Sequence, residues 1–237
     1  MKIKQLKGYF SKIEISLWTV SASLIILSFF IFDRSNYLAF FASLIGVTAI
    51  IFNAKGNPIG QVLIIVFGML YGIESYTFAY YGEMITYLGM TLPMAIIALI
   101  AWLKNPYNGN RAEVKANSLK GKEIVFMTVL TALVTVAFYF ILRYFNTANL
   151  LPSTLSVTTS FVAVYLTFRR SPYFSLAYAT NDIVLIVLWI LATIENISYL
   201  SVTVCFALFL INDIYAFISW LKMRKRQNQE GMQCSEK

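Results

Sequence analysis

Histidine is absent from this 237-residue chain. That removes the commonest metal ligand and the commonest general base near neutral pH. Cysteine is almost absent. Cys205 sits inside an apolar run and Cys234 in the polar C-terminal stretch, so no disulfide is expected. Without a Cys/His cluster a zinc or haem site has no support, and no cofactor is expected. Charge is scarce as well: 13% of residues are charged and 59% hydrophobic, where a soluble domain carries about a quarter charged. So little polar surface cannot cover a water-soluble globule. Also missing are Gly-x-Ser-x-Gly, His-Glu-x-x-His and a Walker loop, which leaves little basis for an enzyme and excludes an ATP-driven pump within the chain.

What the chain has is long apolar runs, at 15–32, 38–53, 59–80, 84–103, 124–145, 153–168, 173–194 and 197–221. A run of roughly 20 apolar residues crosses the hydrocarbon core as a helix. The alternation of a membrane β-barrel is missing. The expectation is an all-α integral membrane protein with about eight transmembrane helices. The first run follows Lys2, Lys4, Lys7 and Lys12 like a signal peptide, but Phe30-Ile31-Phe32-Asp33-Arg34 offers no small-residue cleavage site, so a retained span is expected.

The basic residues give an orientation. With the N-terminus inside, only Arg34 and Arg143 of the 19 Lys and Arg fall outside. The positive-inside rule then puts both termini in the cytoplasm of a cell-membrane protein. The net charge of +8 is therefore a topogenic signal first, with anionic lipid as a partner for the basic tail. Nucleic acid is not expected as a partner, because the basic residues are spread over separate loops.

The longest polar stretch, 104–123, carries Pro106, Gly109 and several Asn and reads as a linker loop. The sequence on its two sides is alike. Spans two to four run through Lys55-Gly56-Asn57-Pro58 to Trp102-Leu103-Lys104, and spans six to eight through Arg169-Arg170-Ser171-Pro172 to Trp220-Leu221-Lys222. This suggests a parallel 3+1+3 repeat with one extra span. Residues 1–37 form the basic N-terminus and extra span, 38–103 the first triplet, 104–152 the loop and linker span, 153–222 the second triplet, and 223–237 a basic tail. Parallel repeats are a transporter architecture, with substrate held near the midplane between halves. The alternative is that two helix ends share aromatic-basic anchors.

Three of the acids lie inside spans: Glu74, Asp182 and Asp213. An ionisable group at membrane depth costs roughly 2.5–3.5 kcal/mol on insertion scales, so each is a functional candidate. Asp182 falls mid-span, with Tyr178, Leu185 and Trp189 on its helix face and Asn181 beside it. A carboxylate between Tyr and Trp suits a cationic or hydrogen-bonding aromatic ligand; the alternative is a polar clamp between helices. Asp213 shares a face with Phe206, Phe209, Phe217 and Trp220, with Asn212 adjoining, and reads as nearer the cytoplasmic end. An intramembrane aspartyl enzyme would need Asp182 and Asp213 to converge, and their unequal expected depths argue against that. Span three offers Phe67, Tyr71, Glu74 and Phe78, with Gln61 near its inner end; span four opens on Glu83, then Tyr87 and Met90. Gly68 and Gly72 suggest close helix packing, and Pro93 punctuates span four.

The stretches Thr158-Thr159-Ser160-Phe161-Val162-Ala163-Val164-Tyr165-Leu166-Thr167-Phe168-Arg169-Arg170-Ser171-Pro172, Asn181-Asp182-Ile183-Val184-Leu185-Ile186-Val187-Leu188-Trp189 and Tyr81-Gly82-Glu83-Met84-Ile85-Thr86-Tyr87-Leu88-Gly89 resemble the PnuC-type nicotinamide riboside transporters. The resemblance spans nearly the whole chain. It implies a 3+1+3 fold related to the sugar-transporting SWEET proteins. It also implies facilitated diffusion of a vitamin precursor that a cytoplasmic kinase traps by phosphorylation, without ion coupling. Many members carry Glu-Asn-Trp-x-x-Trp in span seven. Here the matching stretch is Tyr173-Phe174-Ser175-Leu176-Ala177-Tyr178, so Ser175 and Tyr178 stand at the tryptophan positions, and the family aspartate aligns with Asp182.

The expected function is uptake of nicotinamide riboside, with Tyr178 and Trp189 stacking on its pyridinium, Asp182 meeting its charge or ribose, and Asn181 reading its carboxamide. Asn212, Asp213, Tyr71, Glu74, Glu83 and Tyr87 complete the candidate site. Thiamine, also a cation, and riboflavin, neutral and larger, are the alternative cargoes. A membrane scaffold or sensor and an intramembrane enzyme are the other classes. Association with further copies of the chain is compatible with the sequence.

Overall fold

Bare peptide groups find no partners in hydrocarbon, so each apolar run closes its own hydrogen bonds as a helix. The computed structural model describes residues 8–77, 81–147 and 149–235. Among them eight helices are long and apolar enough to cross a bilayer. They are span one Lys12–Phe32, two Tyr37–Ala54, three Ile59–Tyr76, four Tyr81–Leu103, five Gly121–Tyr144, six Leu150–Phe168, seven Phe174–Glu195 and eight Ile197–Met232. Phe78, the last residues of the third expected run and the lysines Lys2, Lys4 and Lys7 lie outside the described residues.

Two polar stretches differ from expectation. The helix of span eight runs over Leu200–Ser235 rather than giving way to a tail after Leu221. Residues 222–230 are mainly Lys, Arg, Gln and Glu with no proline, so good helix formers carry the helix on after the apolar run ends. The linker loop contains a hairpin, with Pro106–Tyr107 antiparallel to Asn110–Val114. Asn108 and Gly109 both take positive φ at its tip, as the Asn-Gly turn of a tight hairpin requires.

Six helices form a closed ring. Span two packs on three, three on four, four on six, six on seven, seven on eight, and eight returns to two. Span one lies outside against two and eight, and span five packs on six. Only 6% of span five is buried, so most of its surface faces lipid.

At the end of the ring that carries most of the basic residues, spans two and six finish in the same way. Gly56 N–H bonds Asn53 O and Asn57 N–H bonds Phe52 O; Arg170 N–H bonds Thr167 O and Ser171 N–H bonds Leu166 O. These are Schellman turns, with Gly56 at φ 64° and Arg170 at φ 56°. Each turn is capped by the tryptophan of the other triplet. Trp102 Nε1 donates to Thr167 O at 2.9 Å, and Trp220 Nε1 donates to Asn53 O at 2.7 Å. The two indoles lie 5.5 Å apart, both fully buried, with Phe174 against both. The polar linker straps this end. Val114 N–H bonds Gly56 O and Asn117 N–H bonds Arg170 O, while Gln227 of the extended helix holds Ala116 N–H and Val114 O.

Span four is interrupted by a π-turn at Tyr87–Thr91, where Leu92 N–H reaches back to Tyr87 O. Pro93 has no N–H to offer the preceding turn, and the helix widens there to keep its other bonds. Of the two glycines in the Gly-x-x-x-Gly pattern, Gly72 lies against Leu88, whereas a Cβ at Gly68 would meet nothing within 4 Å. Only Gly72 serves close packing.

Replacing Trp220 with Phe removes the donor and leaves the Asn53 carbonyl with the Gly56 N–H alone. The expected loss is about 0.5–1.5 kcal/mol, read by thermal or denaturant unfolding in detergent. Trp102→Phe should cost a similar amount through Thr167. Unchanged stability in both variants would mean that the crossed bonds do not hold the triplets together.

Candidate functional site

The ring encloses a cavity to which all six of its helices contribute. Span two gives Gly46, Ile50 and Asn53; span three Ile64 and Phe67; span four Tyr87 and Thr91; span six Ser160. Span seven gives Tyr178, Asn181 and Asp182, and span eight Phe206, Phe209 and Asp213. Its volume is about 50 Å³, too small for a nucleoside-sized ligand, whose pockets run to about 300 Å³ and more. The site is closed in this structure.

Asp182 and Asp213 meet in this cavity across the span seven–eight contact, which corrects the expectation that their depths keep them apart. Spans seven and eight run in opposite directions, and the two acids lie equally far from the basic end, nine residues from Tyr173 and Lys222 respectively. The expectation measured depth from the centre of each apolar run. A 3-10 turn at Ile197–Tyr199 lengthens the eighth run at the opposite end and displaces its apparent centre.

Asn181 is held by span six, its Oδ1 accepting from Thr159 Oγ1 at 2.8 Å and Ser160 Oγ at 3.0 Å. That leaves the amide NH₂ for a ligand acceptor. Asp182 Oδ2 is buried with no hydrogen-bond partner. The Tyr178 ring packs edge-on against Phe174 and lines the cavity. Ser175, at the other tryptophan position of the resemblance, is fully buried and does not line the cavity.

Toward the end away from the basic turns an aromatic layer shuts the cavity. Tyr71 lies 4.5 Å from the Tyr87 ring and 5.7 Å from Phe206, and Trp189 Nε1 donates to its hydroxyl at 2.9 Å. Beyond this layer is a second small cavity lined by Glu83, Thr147, Asn149, Ser153, Leu188, Trp189 and Ala192. Glu83 Oε2 is unpartnered there. Toward the basic end the floor is Asn53, whose Oδ1 accepts from Gln61 Nε2 at 2.8 Å and whose carbonyl takes the Trp220 bond. Under that floor opens a polar vestibule of about 420 Å³ lined by Tyr9, Lys55, Glu113, Lys222 and Arg226, among others.

The ten candidates of the sequence therefore separate. Asp182, Asn181, Tyr178, Tyr87 and Asp213 meet in the central cavity. Trp189 and Tyr71 form the layer above it, and Glu83 lies beyond that layer. Two lie elsewhere. Glu74 accepts from Asn36 Nδ2 at 3.0 Å and clamps span three to the start of span two. Asn212 donates to Ser21 Oγ at 2.9 Å and joins span eight to span one. Asn53, Thr91, Ser160 and Gly46 line the cavity without having been candidates. Gly46, Ile50 and Asn53 follow i, i+4, i+7, and Ser153, Ser156, Ser160, Ala163 and Thr167 make a buried stripe at alternating spacings of three and four. A search for polar or small faces, rather than for charge, would have found both.

A ring of membrane-crossing helices around a small, largely apolar cavity holding a few polar groups, with aromatic residues toward each end, is the build of a membrane transporter. The chain belongs to the nicotinamide mononucleotide transporter family, whose model matches residues 36–222. It is 27% identical to the nicotinamide riboside transporter PnuC of Neisseria mucosa over 203 residues, 84% of this chain and 77% of that one. It is 24% identical to PnuC of Haemophilus influenzae over 194 residues, 81% of this chain and 83% of that one. A crystal structure of the vitamin B3 transporter PnuC superposes with a TM-score of 0.81 at 24% identity, over 96% of this chain and all of that one, and it shares the fold. An intramembrane acid enzyme would need the approach of Asp182 to Asp213 that is seen here, but these relatives are transporters and the chain is not an enzyme.

A Cβ at Gly46 would stand 2.3 Å from Phe209 Cζ. Gly46→Ala must push that ring, which lines the cavity, at a cost of about 1–3 kcal/mol in stability. Ligand affinity should fall about tenfold or more, the equivalent of about 1.4 kcal/mol, in calorimetric titration of the purified protein. Retained affinity would mean that the ligand binds elsewhere.

Proposed function

We propose that the chain takes up nicotinamide riboside across the cell membrane by facilitated diffusion, with both termini in the cytoplasm and phosphorylation by a cytoplasmic kinase trapping the cargo. The observation that carries this reading is the chemistry of the central cavity. Two carboxyls, two amides and the rings of Phe67, Tyr87, Tyr178, Phe206 and Phe209 converge there, with no Lys or Arg in the lining. Nicotinamide riboside presents the complement. Its pyridinium is a flat cation that fits between ring faces, its carboxamide carbonyl suits the Asn181 NH₂, and its ribose hydroxyls suit Asp182 Oδ2. The names of the two PnuC relatives agree.

The route runs between two closures. The vestibule at the basic end is separated from the cavity by the Asn53 floor and the crossed tryptophans, and the second cavity by the Tyr71–Trp189 layer. The twin turns and reciprocal indole bonds support reading spans two to four and six to eight as parallel repeats of the SWEET kind. Alternating access is then a rocking of one triplet against the other, breaking one closure while the other holds. The Lys- and Arg-rich end faces the cytoplasm by the positive-inside rule.

Purified protein in liposomes should accumulate labelled nicotinamide riboside to equilibrium without ATP. Thiamine uptake in place of nicotinamide riboside would overturn the substrate. Asp182→Asn should lower affinity for the cation by roughly 30-fold, about 2 kcal/mol, with a smaller loss of thermal stability. Equal losses in both would make Asp182 a structural clamp.

A further inference from the structure

Glu83 is a buried carboxyl with an acceptor that the protein leaves unanswered. The residue is 8% exposed, its Oε2 has no hydrogen-bond partner, and among the described residues it takes part in no ion pair. A buried acceptor without a donor is costly, and more so when it carries charge. Glu74, the other acid toward this end, meets that cost by accepting from Asn36. Glu83 faces a cavity instead.

The connection between spans five and six builds the rest of that cavity. Span five ends in a Schellman turn, with Asn146 at φ 49° and Thr147 N–H bonded to Leu142 O. The turn lays Thr147 on span four at Gly82, where a Cβ would stand 2.6 Å from Thr147 Cγ2. Thr147 thus lies beside Glu83, and its Oγ1 is also buried without a partner. Asn149 opens span six at φ 55°; its side chain makes no cap bond and lines the cavity with Ser153. Spans four and six both begin here, and the positive ends of their helices favour a carboxylate. No Lys or Arg lines the space.

Asn149 is exposed, whereas Glu83, Ser153 and Trp189 are buried. The cavity therefore runs inward from the surface and ends on Trp189, whose Nε1 donates to Tyr71. On the far side of that layer Tyr87, 4.5 Å from the Tyr71 ring, lines the central cavity. The outer space measures about 30 Å³, room for about two waters, and one aromatic layer parts it from Asp182.

We propose that this outer cavity is a separate binding subsite for an organic cation bearing hydroxyl or amide donors, where Glu83 takes the ligand first and yields it to Asp182 when the Trp189–Tyr71 bond opens. The subsite deepens the proposed function and rests on the central cavity being the site of a cationic cargo. One carboxyl and the Thr147 hydroxyl hold the ligand at the outer station; two carboxyls, two amides and five rings hold it at the central one. The second station is the stronger, so Glu83 sets the rate of capture and not the depth of binding. No other ion moves with the cargo.

The test compares wild type with Glu83→Gln, which keeps the shape of the side chain and removes its charge. The full-length protein is reconstituted right-side-out in liposomes, nicotinamide riboside is added outside, and stopped-flow tryptophan fluorescence follows its binding. Association should slow by about tenfold, dissociation to the outside should slow equally, and the calorimetric Kd should stay within about twofold of wild type. Thr147→Val, which removes only a hydroxyl, should slow association by about threefold and gives the same reading if the Glu83 variant does not fold. Association as fast as wild type in the folded variants would overturn the subsite and leave the substrate assignment standing. An affinity that falls as far as the association rate would make Glu83 part of the final bound site and also overturn it. Thiamine capture that depends on Glu83, with nicotinamide riboside not bound, would keep the subsite and overturn the substrate.

Discussion

Two crossed hydrogen bonds hold the halves of this molecule in one arrangement. The indole of each triplet caps the last turn of the other, Trp102 on Thr167 and Trp220 on Asn53. In lipid the hydrophobic effect gives helices little reason to associate, so packing and hydrogen bonds between them carry the assembly. A helix-end carbonyl keeps a second lone pair beyond the bond of its own turn, and here each half fills that of the other. The polar linker reinforces the pair by bonding the carbonyls of Gly56 and Arg170, one from each turn. The same junction forms the base under Asn53, and Asn53 is the floor of the cavity.

The cavity inherits its chemistry from that arrangement. Asp182 and Asp213 come level within the second triplet, because each stands nine residues from the basic end on neighbouring antiparallel helices. The aromatic faces that the sequence distributes over spans three, four, seven and eight then converge on one space. Above it, Tyr71 and Trp189 hold a single hydrogen bond between spans three and seven, one from each triplet. A carrier needs closures that are individually weak and mutually exclusive.

Much of this was legible in the sequence. Eight apolar runs gave the helices, since lipid permits little else, and the Trp-Leu-Lys and proline-containing turn signatures pointed to the junction that the crossed bonds occupy. Asp182 and its helix neighbours were found through the cost of burying charge. Depth was not legible, because an apolar run marks how much helix is greasy and not where its centre lies; that error separated Asp213 from its partner. Glu74 and Asn212 misled because a buried polar side chain satisfies a helix contact as well as a ligand, and only geometry distinguishes the two. Asn108-Gly109 was a readable hairpin signal lost inside a stretch taken as linker. The π-turn before Pro93 combines two local effects that a helical pattern does not distinguish from an ordinary span.

The crossing of those bonds also sets an order on how the chain can be made. Asn53 is among the first residues to enter the membrane during synthesis, and the indole that caps its carbonyl arrives 167 positions later. The first triplet thus waits, with its last turn closed only by its own Gly56 N–H, until span eight has been made. A nascent chain stalled or clipped before Trp220 keeps the greasy helices and lacks the clasp that joins them.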